Sequence, residues 1–157
     1  MDHPSNTVAV RQALRSIDAL TELSDESIDA LARIGSLHDD PAGSVLFSEG
    51  QHHDKIYFLI SGSVTLDMMT AKCGRQIILT VGRGELLAWS PLIDDQLMTA
   101  TAMATEPTQS VAFVAKELLS LLEAQPLLGF RVMWIVARAL SRRLLATRLQ
   151  LLDLYHR

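Results

Sequence analysis

Between about Leu37 and Val114 the hydrophobic pattern of this 157-residue chain changes from a helical period to a strand-like one, and afterwards it changes back. Six short β-prone runs fill that interval, at residues 45–47, 55–60, 64–69, 76–81, 99–104 and 109–114. Pro41-Ala42-Gly43, Glu49-Gly50, Ser61-Gly62 and Lys72-Cys73-Gly74 punctuate them with residues that favour tight reversals. In the third run Val64, Leu66 and Met68 alternate with Ser63, Thr65 and Asp67, which predicts an apolar face turned inward and a polar face turned outward. Many short strands at such spacing imply a β-sandwich or barrel rather than a parallel α/β sheet.

Helices are expected on both sides of this block. Val10, Leu14 and Ile17 lie on one face of a helix over residues 7–20. A second helix begins after Ser24, a good N-cap followed by Asp25 and Glu26. Leu23 is placed to staple onto Ile28, and Gly35 is expected to end the helix. Beyond the strands, residues 116–124 predict a short helix. Pro126 suits the first position of a long one reaching about Leu154. Residues 1–125 therefore form the helices and β-domain, and residues 126–157 a C-terminal helix of the same domain.

That last helix carries two apolar lines. Phe130, Met133, Ala137, Leu140, Leu144, Thr147, Leu151 and Leu154 follow alternating spacings of three and four, a seam suited to a partner helix. Ile135, Ala139, Leu145, Leu149 and Leu152 run along another side. Two apolar faces need two covers, so the expectation is one face on the chain's own β-domain and the other in a homodimer about a two-fold axis.

Charge sharpens the division. Residues 126–157 hold six arginines against Asp153 alone, a net +5, whereas the preceding 125 residues hold 8 basic and 17 acidic residues, a net −9. Because the arginines are interleaved with apolar residues, they are expected to settle on protein rather than to read nucleic acid. One cysteine, Cys73, excludes an internal disulfide and any all-cysteine metal cluster within the chain. No apolar stretch is long enough for a transmembrane helix, and the N-terminus lacks a signal-peptide pattern. A cytoplasmic protein is expected.

Three segments, in order and at suitable spacing, carry a family resemblance. Pro41 to Gly50 resembles the opening strands of the cyclic-nucleotide-binding domain in the Crp/Fnr superfamily, and Lys55 to Val64 resembles its next hairpin. Gly82-Arg83-Gly84-Glu85-Leu86 is similar to the start of its phosphate-binding cassette. The resemblance implies a mainly β fold, an eight-stranded β-roll with flanking helices and a long C-terminal dimerisation helix. The ligand pocket would lie between roll and helix. It implies Gly84, Glu85, Leu86, Leu87, Trp89, Met98, Thr99 and Thr147 as the ligand-binding set, with Glu85 at the ribose position and Thr147 at the base position.

One departure stands out. At the position where the family carries the arginine that pairs with the cyclic phosphate, this chain has Met98, and Asp94 and Asp95 lie just upstream. Desolvating a phosphate without a cationic partner costs several kcal/mol, so ordinary tight cAMP binding is not expected. Ala88 also replaces a glycine common in the family's cassette. Arg83, Arg142 and Arg143 are candidate replacement anchors.

The other chemistry-bearing residues point elsewhere. Trp89 can stack on a ligand but is expected to serve packing. His52-His53-Asp54 lacks a third ligand at metal spacing and reads as an exposed turn, so no metal is expected; no cofactor is certain, and a small effector is the candidate ligand. For Cys73, in a hairpin turn, the resemblance leaves a haem ligand or redox switch open beside the simpler reading of an incidental thiol, and Ser90 has no nucleophile elbow around it. No motif argues for an enzyme. The superfamily's helix-turn-helix is not found here, so direct DNA binding is not expected. Three functions remain: a sensor of a small-molecule effector with a degenerate phosphate site, a ligand-free module for a regulatory protein partner or for dimerisation, and an ordinary cAMP or cGMP regulator.

Overall fold

The strand-like interval folds into two antiparallel four-stranded sheets, with order β1-β8-β3-β6 and β2-β7-β4-β5. The computed structural model describes residues 4–94 and 97–155. In chain order the elements are α1 (Pro4–Arg15), a 3-10 turn (Asp18–Leu20), α2 (Asp25–Ile34), β1 (Gly35–Asp40), β2 (Val45–Phe47), β3 (Lys55–Ser61) and β4 (Val64–Thr70). They continue with β5 (Gly74–Val81), β6 (Leu86–Leu87), α3 (Ser90–Ile93), β7 (Thr101–Ala104), β8 (Thr108–Val114), α4 (Ala115–Ala124) and α5 (Pro126–Tyr155). The expected β-roll with flanking helices and a long C-terminal helix is the observed architecture.

Period-two alternation within one sheet explains why the core has two parts. On β3, Ile56 and Phe58 face the helices while Tyr57 and Leu59 face the second sheet. On β8, Val111 and Phe113 do the former and Ala112 the latter. The continuous apolar run in β3 is thus a strand covered on both faces. The helix-side core gathers Leu14, Ile28, Leu118, Leu128 and Val132, and the roll interior gathers Phe47, Val64, Val81, Leu87 and Met98.

Local chemistry sets the element ends. The backbone N–H of Ser27 donates to Ser24 Oγ at 3.1 Å, so Ser24 caps α2, and both Leu23 and Ile28 are buried. Gly35 ends α2 as expected, but in extended rather than left-handed conformation, and it opens β1 directly. It is glycine for want of space: a Cβ there would lie 3.0 Å from Val10 Cγ1 and 3.1 Å from Val111 and Phe113. At Gly62, by contrast, φ is +88° and a Cβ would meet Thr108 Oγ1 at 2.4 Å, so both conformation and space demand glycine in the β3–β4 turn.

The simple in-out reading of β4 is corrected. Thr65 and Asp67, expected outside, are both buried. β4 runs between β7 and β5, and Arg75 of β5 reaches across to Asp67 at 3.2 Å, covering the carboxylate with a guanidinium. Pairing, rather than exposure, accommodates that polar face.

Helix α5 leaves the body part-way along its length. Leu128, Val132 and Val136 are buried, and Ile135 and Leu140 pack against the helix-side core. Gly129 lets α4 and α5 meet closely, since a Cβ would stand 2.6 Å from the Leu122 carbonyl oxygen. Every residue from 144 to 155 is exposed. Phe130, Met133, Ala137, Leu144 and Leu151 of the expected seam are open, whereas Leu140 packs partly on its own domain. The second line divides: Ile135 and Ala139 lie toward the roll, but Leu145, Leu149 and Leu152 are exposed rather than covered by it. At about 100° per residue Leu145, Leu149 and Leu152 are rotated around the helix away from Ile135 and Ala139, so they do not share the face that meets the roll. Among the described residues no helix is long and apolar enough to cross a membrane.

Candidate functional site

The cassette begins with a turn docked on β3. Gly84 takes φ +79° and donates its N–H to the Leu59 carbonyl at 2.7 Å; Leu59 returns an N–H to the Glu85 carbonyl at 3.1 Å. The Glu85 carboxylate folds back to accept the Gly82 N–H at 2.7 Å, closing the turn. Leu86 and Leu87 then pair with Phe58 and Tyr57 as β6. Ala88 follows at φ +60°, a left-handed conformation that costs a residue with a Cβ about 1–2 kcal/mol.

Between this turn and α5 lies a cleft of about 630 Å³. Its apolar lining includes Phe58, Leu79, Leu86, Ile135 and Ala139, and its charged lining is Asp18, Arg83, Glu85, Arg138, Arg142 and Arg143. Arg143 holds the two walls together by donating to the Leu86 carbonyl. Burial lowers its pKa from the ordinary guanidinium value, against the opposing pull of Glu85, yet the group stays cationic.

The residues expected to bind ligand separate into three places. Gly84, Glu85 and Leu86 line the cleft. Leu87 and Met98 sit in the roll interior, and Met98 is only 6% exposed among Phe47, Leu59, Val64 and Val81. Its backbone is fixed at both ends, with Met98 N–H donating to Gln51 O at 2.9 Å and Gly50 N–H donating to Met98 O at 2.8 Å. The Ser90 hydroxyl donates toward the Met98 sulfur at 3.5 Å. Trp89 packs against the helix-side core, and Thr99 is exposed. Thr147 is exposed one residue beyond the lining Ala146, and its hydroxyl donates to the Arg143 carbonyl at 2.9 Å. Asp94 is exposed; Asp95 lies outside the described residues.

Arg138 was missed in the sequence. Its signal was available, because Ile135, Arg138, Ala139, Arg142 and Ala146 recur at spacings of three and four and so share a helix face. That Asp18 joins them from the turn after α1 had no local signal at all.

His53 is not a simple exposed turn residue. Its ring stacks on Tyr57 at 5.6 Å, approaches Phe47 at 5.1 Å and shares a 3.1 Å hydrogen bond with the Tyr57 hydroxyl. Burial lowers the His53 pKa and pushes Tyr57 up to about 12, with Asp40 and Asp54 adding to the tyrosine's shift. Among the described residues no three His, Cys, Asp or Glu side chains are grouped to hold a metal. Cys73 is exposed in the β4–β5 turn.

A roll of eight strands, a glycine-led cassette turn on β3 and a long helix across the cleft define a class, and the chain belongs to the cyclic nucleotide-binding domain family, whose sequence profile matches residues 40–125. It is 28% identical over 100 residues to the cyclic AMP receptor protein of Thermus thermophilus, covering 64% of this chain and 46% of that protein. The chain spans about half the length of the curated relatives it matches. Among solved structures, a cyclic nucleotide-binding domain from Methylobacillus flagellatus superposes with a TM-score of 0.81 at 22% identity, covering 94% of this chain and 83% of that one. The N-terminal domain of a transcriptional regulator from Streptomyces coelicolor gives 0.69 at 27% identity, covering 83% and 93% respectively.

Proposed function

We propose that this regulatory domain senses a small effector through the cleft between the cassette turn and α5, with the phosphate end of the family site lost, and that it works as a homodimer through the exposed seam of α5. The observation that carries this reading is Met98, a buried thioether inside the roll at the position where the resemblance puts the phosphate arginine, while the open cleft lies between the cassette turn and α5. An effector seated there touches both the cassette and α5, so its binding free energy can bias how the helix sits and pairs. Exposed Phe130, Met133, Leu144 and Leu151 support the dimer, because such a contiguous apolar stripe is costly to leave in water.

A thermal-shift panel with cAMP, cGMP and other small effectors at about 1 mM tests it, because a ligand at a hundred times its Kd adds about 2.7 kcal/mol of stability. The expected result is a shift with an effector other than cAMP, or with cAMP only at millimolar concentration. A shift with cAMP at low micromolar concentration would restore the ordinary cyclic-nucleotide reading. The packed roll interior around Met98 favours one rival, a ligand-free interaction module; silence across the panel with the dimer intact would select it.

A further inference from the structure

The cleft's charge specifies a class of ligand. Its lining holds four arginines and two carboxylates, a net charge of +2. Two of these six groups are already committed within the fold: the Glu85 carboxylate accepts the Gly82 N–H and Arg143 donates to the Leu86 carbonyl. Arg83, Arg138 and Arg142 form no ion pair among the described residues, although ion pairs do form elsewhere on the surface, at Arg11, Arg15, Arg75 and Arg131. Arg138 and Arg142 lie one helical turn apart on the same face, where like charges disfavour the helix. Three uncommitted guanidinium groups therefore border a cleft with a substantial apolar lining. A volume near 630 Å³ falls within the range that takes ligands up to the size of a mononucleotide. A duplex nucleic acid does not enter a cleft of that size.

We propose that the cleft binds a small organic anion whose multiply charged phosphoryl or carboxylate end is clamped by Arg83, Arg138 and Arg142, with its apolar part against Phe58 and Ile135. This rests on the effector-sensing reading above and supplies its ligand class. Guanidinium groups suit the task because each presents paired N–H donors to two oxygens at once. The clamp also bridges the two walls: Arg83 belongs to the cassette turn, Arg138 and Arg142 to α5. An anion between them removes the repulsion along α5 and ties the turn to the helix. The charge that the family takes up inside the roll is here taken up from the helix side.

Calorimetric titration of the full chain with inorganic pyrophosphate, citrate and cAMP tests this, using the wild type and Arg138→Gln/Arg142→Gln at ~50 mM and ~300 mM salt. Pyrophosphate and citrate separate phosphoryl from carboxylate preference. The expected result is wild-type binding of at least one of them with Kd below about 1 mM, weakened several-fold by the higher salt and about tenfold or more by the double variant. Exposed Arg148→Gln, outside the cleft lining, should leave affinity unchanged, and circular dichroism should show both variants folded. Failure of both anions to bind the wild type overturns the clamp, and so does equal affinity in the double variant. If cAMP or another effector still binds while neither anion does, the clamp alone has failed. If every effector is silent, the sensing reading fails with it.

Discussion

Replacing Met98 with arginine puts back the charge that the resemblance leads one to expect, and the structure gives the cost. Met98 is 6% exposed, and its N–H and carbonyl are both held by the Gly50–Gln51 turn, so the backbone cannot swing the new side chain outward freely. The guanidinium must enter a space bordered by Phe47, Leu59, Val64, Val81 and Leu87, where Ser90 offers one hydroxyl. A buried charge without its partner costs about 3–5 kcal/mol, a large part of a typical stability of about 5–15 kcal/mol. Met98→Leu keeps volume and polarity and should cost less than about 1.5 kcal/mol. Urea unfolding of both variants and the wild type, with and without ~1 mM cAMP, measures this. In the absence of ligand Met98→Arg should lose about 3–5 kcal/mol. With cAMP it should recover about 2.7 kcal/mol if the restored anchor brings Kd to about 10 μM. An arginine variant within about 1 kcal/mol of wild type without ligand would refute the reasoning, since position 98 would then not plug the roll.

Gly129→Ala should destabilise by about 1–3 kcal/mol despite the better helix propensity of alanine, because its Cβ would meet the Leu122 carbonyl oxygen at 2.6 Å; a rise in Tm would show that α4 and α5 part without cost. Leu144→Asp/Leu151→Asp should give a monomer by light scattering with unchanged circular dichroism, as both positions are about half exposed in the single chain, and a persistent dimer would place the interface elsewhere. Tyr57, held protonated in the fold up to about 12 against an ordinary value of 10.0, contributes stability that is full below pH 10 and lost as pH rises toward 12. The loss amounts to about 1.4 kcal/mol per pH unit in that window, so Tyr57→Phe should flatten the alkaline fall of the urea midpoint, and equal slopes would dismiss the assignment.

The features legible in the sequence are those written locally. Ser24 and Pro126 mark helix starts because capping and a fixed φ act within one turn, and the glycine-punctuated runs mark strands because alternation acts within a few residues. β1 was not resolved as a run of its own, since Gly-Ser-Leu-His-Asp-Asp has weak strand character; six residues of register with β8 make it a strand. β6 is two residues long and exists through its pairing with Phe58 and Tyr57. The buried Asp67 could not be foreseen either, because its cover comes from a neighbouring strand.

The same boundary runs through the site. The residues themselves called for a β-sandwich or barrel and for two apolar lines on the last helix, and the family resemblance added the β-roll, the cassette turn and the missing arginine at position 98. It took the folded chain to put Met98 inside the roll, to carry α5 past the body that covers it, and to bring Arg83, Arg138 and Arg142 around one cleft that Asp18 also lines. The reason is one of range. Helical and strand periods, caps and turns are set by neighbours a few residues apart, whereas a side chain's burial and a cleft's charge depend on which distant segments the closed roll brings together.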